Sequence, residues 1–333
     1  MVIELIQPVI FINNTEISEL YPLLKKFSFT DNTDEADTAE LTFFDEERKF
    51  MRGLIPRDSK IKLQLRDGNL QFDCGIFELD KIGCKGVPSE CTFKLNSVSN
   101  SAGLRGTEKN KAWENTNLKK IAGDIASESG LTLLYEAEEI SINRAEQNSS
   151  DLSFLKKLCK NHGLNLKIYD GKLIIFDAKK YEDKAAVGEI FHGDNRLLSY
   201  SFDANAVDIY STANTNFSGG GSVANWLLDL LGIDDLISTS FDSGSSGNVL
   251  TINEKVDSLA DAEKLSQSKL REKNKNEWTA NLNLAGNFDY AAGNNLELSD
   301  FGIYSGKYCI DTATHSLSNG YTTQLKLHRC LNY

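Results

Sequence analysis

Residues 147–177, QNSSDLSFLKKLCKNHGLNLKIYDGKLIIFD, carry three local signals in unbroken succession, and the rest of the chain is read outward from them. Ser149 or Ser150 caps a helix whose apolar positions Leu152, Leu155, Leu158 and Cys159 recur at helical spacing, and Gly163 supplies its left-handed stop. Leu164, Leu166 and Ile168 then alternate with polar neighbours, Asp170 and Gly171 have the chemistry of a tight hairpin turn, and residues 173–176 run apolar on the return. The spacing predicts helix, turn and hairpin, with no catalytic group of its own.

The same order stands one step earlier. Leu118, Ile121, Ala122, Ile125 and Ala126 form an apolar helical stripe closed by Gly130, after which LTLLYE is extended. Residues 109–182 therefore read as a small α+β module of two related halves. Its helices resemble those of a peptidoglycan-binding LysM unit, but helix–glycine–strand is too common a sequence to carry that assignment.

On both sides the period changes to two. TAELTFFD, SKIKLQLRD, LQFDCGIFELDKI and SECTFKLNSVS predict an all-β unit over residues 1–108, and LLSYSFDA, WTANLNLAG, NNLELSD, GKYCIDTATHSL and GYTTQLKLHR predict a second over 183–333. The two share a pattern. Gly75-x-Phe77-x-Leu79-Asp80 has a counterpart in Gly306-x-Tyr308-x-Ile310-Asp311, and Thr92 follows its aspartate by the same twelve residues as Thr323 does. Two like barrels are expected, with Asp80 and Asp311 at equivalent positions.

The middle stretch resembles the phage late control protein D family, the baseplate hubs of contractile tails and phage-tail-like (R-type) bacteriocins, in which an acidic SDLxFLxxLxxxxG helix precedes a dGkLxF hairpin. Ser150, Asp151, Leu152, Phe154, Leu155, Leu158, Gly163, Gly171, Lys172, Leu173 and Phe176 match that pattern. The C-terminal run also resembles the family's close, through Gly286, Ala292, Gly293, Leu296, Gly306, Tyr308, Ile310 and His315. The resemblance implies a mainly β, α+β fold: two tail-tube-like antiparallel β-barrels flank the helix–strand module. It further implies a homotrimer whose barrels form a pseudo-six-fold ring, adapting a six-fold tail tube to a three-fold spike. The partners implied are the spike, the tube or its initiator protein, the tape-measure protein and the baseplate wedges. A tail-associated cell-wall hydrolase or peptidoglycan-binding module is the alternative.

Composition narrows the field. A formal charge of -12, with no segment that collects Lys and Arg, argues against sequence-specific nucleic-acid binding, and predicts that the inner wall of such a ring is net negative or neutral. No apolar run reaches membrane-spanning length, and MVIELIQPVIFI lacks a basic leader and carries Glu4, Gln7 and Pro8, so it reads as a strand of a protein assembled in the bacterial cytoplasm rather than as a signal peptide. Six cysteines without a CxxC pair read as reduced, mostly packed thiols.

Residues 197–254 contain no Lys or Arg and include a Gly/Ser-rich insertion at about 213–250. Within it Trp226, Leu227, Leu230, Leu231 and Ile233 follow a Gly219–Gly220–Gly221 linker, and either pack on their own barrel or form an interface with a partner. After it, Val256, Leu259, Ala260 and Leu265 predict an amphipathic helix ending near Asn276.

Catalytic chemistry finds little purchase. Eight carboxylates crowd residues 31–47, a run that reads as a solvated loop before it reads as an acid–base pair. His162 sits at a helix end, and His192, His315 and His328 lie by predicted strands without a nucleophile elbow or an HExxH. SGGGS lacks the lysine of a phosphate loop, so no catalytic residue, metal ligand or cofactor is expected.

Overall fold

The computed structural model describes residues 6–97, 104–218, 236–242, 248–252 and 259–333. The first alternating segments become β1 (Gln7–Ile12), β2 (Thr15–Glu16), β3 (Leu24–Asn32), β4 (Thr38–Phe44), β5 (Lys60–Asp67), β6 (Leu70–Lys85) and β7 (Glu90–Asn96). Alternation puts every second side chain on one face, and Phe27, Phe29, Leu41, Phe43, Leu63, Phe77 and Phe93 close a single core inside the folded-over sheet. Strand β6 serves two neighbours, pairing first with β5 and then, from Glu78 onward, with β7.

The middle module follows as β8 (Lys109–Asn117), α1 (Leu118–Glu128), β9 (Thr132–Glu136), β10 (Ser141–Ser149), α2 (Asp151–Asn161), β11 (Leu164–Tyr169), β12 (Lys172–Asp177) and α3 (Ala178–Glu182). Ser150 is the cap residue of α2, Gly163 takes a φ of 71°, and Asp170 and Gly171 turn the hairpin at φ 48° and 71°. Strand β12 lies between β11, antiparallel, and β9, parallel. The antiparallel pairing of β8 with β10 is not legible in the sequence, because KNKAWENTN and SINRAEQNS carry too few apolar residues to show a strand period.

The last third contains β13 (Ala186–Phe191), β14 (Leu197–Ala204), β15 (Tyr210–Ser218), β16 (Leu236–Asp242), β17 (Asn248–Ile252), α4 (Leu259–Asn274), β18 (Trp278–Ala285), β19 (Asn295–Ser299), β20 (Gly306–Leu317) and β21 (Tyr321–Arg329). Strands β15 to β17 form a separate small sheet under α4, with Ala213, Ile252, Leu265 and Leu270 as its core. The remaining six strands repeat the first unit. Their order β14-β18-β21-β20-β19-β13 reproduces β3-β4-β7-β6-β5-β1 strand for strand.

The register carries the match to single residues. Gly75 faces Leu63 as Gly306 faces Leu298, and Leu79 faces Leu95 as Ile310 faces Leu327. The next residue, Asp80 in one half and Asp311 in the other, is the bulge. A second bulge also coincides, at Lys25 in β3 and Leu198 in β14. The threonines do not correspond: Leu95 matches Leu327, so Thr92 matches Gln324, because residues 317–321 separate Ser316 from its partner where residues 86–89 separate the equivalent Lys85 from its own, one residue more. One strand differs in direction, β13 running parallel to β19 where β1 runs antiparallel to β5.

Two closed barrels were expected, and the described residues contain none. Instead the halves fuse: residues 312–317 of β20 pair with residues 27–32 of β3, giving one thirteen-stranded sheet. The edge that a closed barrel would use within itself is spent on the neighbouring half.

Candidate functional site

The fusion creates a broad polar face. Side chains opposite one another in an antiparallel pair share a face, so the β20–β3 register aligns Thr312 with Asn32, Thr314 with Thr30 and Ser316 with Ser28. These pairs touch: Thr312 Oγ1 donates to Asn32 Oδ1 at 3.1 Å, the Thr30 and Thr314 hydroxyls lie 3.1 Å apart, and those of Ser28 and Ser316 3.4 Å. The same face continues through Thr42 and Thr92, 3.1 Å apart, on one side and through Gln324, Asn281 and Ser201 on the other. Its charges are mixed, with lysines in the majority: Glu40 stands 3.4 Å from Lys26 and 3.8 Å from Lys94, Lys81 and Lys85 continue the face on β6, the latter 3.2 Å from Glu90, and Lys326 and Asp203 lie further along. The centre of this surface offers hydroxyl and amide groups, with the charges set to either side of the joint.

Two buried ionic clusters hold the halves and the middle module together. Lys167 of β11 reaches under the first half to ion-pair with Asp31 and, at 3.3 Å, with Asp37, while Asp31 Oδ2 accepts the Ala292 N–H from the β18–β19 loop at 2.9 Å. Burial pushes the Asp37 carboxyl well above the ordinary carboxylate range, with Lys167 opposing and Asp31 reinforcing that shift. A cavity of about 240 Å³ lies beside this cluster, lined by Phe72, Tyr169, Phe176 and Tyr181 among others. In the second cluster Glu182 accepts from Arg271 at 2.6 Å and from the Leu331 N–H at 2.9 Å, and His328 stands between Asp311 at 2.8 Å and Glu182 at 3.5 Å. Burial works against charge on both groups, but the partners win: Asp311 and Glu182 raise His328 to about 9, and His328 and Arg271 lower Glu182 to about 2.

Several expectations change here. The acidic run 31–47 is not a solvated loop throughout, since Asp31, Asp37 and Asp45 are buried; Asp45 accepts the N–H groups of Phe50 and Met51, each at 3.0 Å. The cysteines are not all reduced: Cys84 and Cys91, opposite one another on β6 and β7, form a disulfide, while Cys74, Cys159 and Cys309 are buried thiols and Cys330 a partly covered one. Asp45 approaches that disulfide, but its two sulfurs are bonded to each other and offer no thiolate to a metal. His315 is buried with its ring stacked on Phe29; burial lowers it to about 4, so the neutral ring donates from Nε2 to the Tyr290 carbonyl and accepts from the Tyr321 hydroxyl at 2.6 Å. Trp226, Leu227, Leu230, Leu231 and Ile233 lie outside the described residues.

Sequence reasoning missed Lys167, Glu182 and Arg271. Lys167 occupies a polar position of LNLKIY and so reads as solvent-facing; only the first half, packed over it, makes that position an interior one.

No family model matches this sequence, and no curated protein matches it. Solved structures do. The 43 kDa tail protein of prophage MuSo2 from Shewanella oneidensis superposes with a TM-score of 0.72 at 14% identity, over 97% of this chain and 98% of that one. A tail protein from Neisseria meningitidis MC58 gives 0.74 at 10% identity, over 98% and 97%. An E. coli component of the type VI secretion system, which exhibits structural similarity to the T4 bacteriophage tail proteins gp27 and gp5, gives 0.57 at 9% identity, over 92% and 73%. At such identities the likeness defines the fold: this chain has the fold of phage tail proteins, shared with a type VI secretion component.

Proposed function

We propose that this chain is a structural baseplate hub of a contractile tail or tail-like injection particle, as its resemblance to the late control protein D family implies. Three copies form a ring of six similar half-sheets that adapts a six-fold tail tube to a three-fold spike, and the chain performs no catalysis. The observation that carries this reading is the internal duplication, matched to the bulge, with both halves fused through β20 and β3 into one sheet. A chain built as two equivalent units lets three subunits satisfy six-fold symmetry on one side and three-fold on the other. The hydroxyl- and amide-rich face is then the wall of the channel, where the uncharged strip along the joint gives a polyanion or a tape-measure chain a path between the lysines. The division at about residues 108 and 182 is part of the proposal, as are contacts with the spike, the tube or its initiator, the tape-measure protein and the wedges. Sedimentation velocity of the chain, alone and with its spike, tests the reading: a trimer supports it. A monomer under both conditions, or clearing of a cell-wall zymogram by the purified chain, would overturn it.

A further inference from the structure

Resting on the ring reading above, we infer that neighbouring copies join by pairing β14 of one with the C-terminal half of β6 of the next, in the register of the β3–β20 joint within the chain.

Each half possesses two joint-forming edges. In the second half residues 312–317 of β20 are used by β3 of the first half. The corresponding edges, residues 81–86 in and just beyond β6 and residues 200–205 in and just beyond β14, have no strand beside them among the described residues: β5 stops opposite Glu78, and β14 ends the sheet. One chain thus carries one unused edge of each type. An unlike pair of edges makes a head-to-tail contact, which repeats until the rotation closes it into a ring.

Burial marks the same edges. Phe27, covered at the internal joint, is 0% exposed, whereas its counterpart Tyr200 is 46% exposed. Leu198, at the coincident bulge, is also exposed. Long exposed strand edges with apolar residues are templates for pairing, and a second copy presenting the matching edge is the occupant that the duplication specifies.

Charge agrees with the transferred register. Substituting equivalent residues into the β3–β20 ladder places Lys85 opposite Ser201, Gly83 opposite Asp203 and Lys81 opposite Asn205. Asp203 then lies diagonal to both lysines, within reach of long side chains across a strand pair. All three are exposed in the single chain. Gly83 has open space where a Cβ would stand, which leaves the carboxylate room between them.

Two experiments on the full chain test the joint. Lys85→Cys with Ser201→Cys should, on mild oxidation, give intermolecular disulfides and a covalent trimer on a non-reducing gel, whereas Lys81→Cys with Ser201→Cys, four positions out of register, should not. Independently, Asp203→Lys should weaken self-association about tenfold, and adding Lys81→Asp and Lys85→Asp should restore it. If wild type sediments as a trimer but the first pair does not cross-link and Asp203→Lys associates normally, this joint is wrong and the hub reading stands. If wild type remains a monomer with and without its spike, the ring reading falls and takes the joint with it.

Discussion

Lys167 is the residue on which the contact between the middle module and the first half turns. It serves two buried carboxylates, and with Asp31 also fastened to the β18–β19 loop, one ammonium holds three parts of the chain. Lys167→Met keeps the length of the side chain and removes the charge, leaving Asp31 and Asp37 facing each other unpaired; a loss of about 3–5 kcal/mol in denaturant unfolding is expected. The pH dependence has a definite sign. His328 is raised from 6.5 to about 9, so its contribution is complete below about 6.5 and is lost as pH rises through about 9. Asp37, also raised, binds its proton more tightly in the folded state and so lowers stability as pH rises from acid toward neutrality. Glu182, lowered from 4.5 to about 2, contributes above 4.5 and loses that contribution as pH falls through about 2. Melting temperature should therefore decline from mildly acidic toward alkaline pH. His328→Gln should flatten the decline between about 6.5 and 9, and an unchanged slope in that variant would assign the pH dependence to other groups.

At the scale of elements, the helix start, the stop at Gly163 and the turn at Asp170 and Gly171 of residues 147–177 were legible, although the hydroxyl of Ser150, at the cap position, reaches Ser153 Oγ and caps no backbone N–H. The pairing of Gly75–Asp80 with Gly306–Asp311 was legible too, because a bulge, a bend and two core positions constrain residue type strongly. The threonine correspondence failed because the length of a hairpin beyond its shared core positions is free to vary. Closed barrels were expected because a sequence shows that a strand exists, not which strand takes its edge. The ionic clusters were invisible for a related reason: alternation reports which side of a strand is polar, not whether another unit covers that side. Gly286 belongs to this scale. A Cβ there would stand 2.1 Å from the Tyr321 ring, so Gly286→Ala should displace that ring from His315 and cost about 1–3 kcal/mol, read by thermal unfolding. Trp226, Leu230 and their neighbours remain proposed as a partner contact: replacing both with serine should leave the far-ultraviolet circular dichroism unchanged and weaken trimer or spike association. Loss of the folded spectrum would place them in the core instead.

For the molecule as a whole, duplication and fusion explain one another. Each half-sheet has one edge of each kind, and the chain joins an edge of its second half to the complementary edge of its first through β20 and β3. The polar face follows from the same joint, since the register that aligns the backbones also aligns the hydroxyls of Ser28, Thr30, Thr314 and Ser316. A cryo-electron microscopy reconstruction of the assembled oligomer tests this most directly. The expected map shows three chains and six half-sheets around one axis, with the Ser28–Ser316 face lining the channel. A map in which that face packs against another protein, or in which the two halves of the chain do not occupy equivalent positions around the axis, would contradict it.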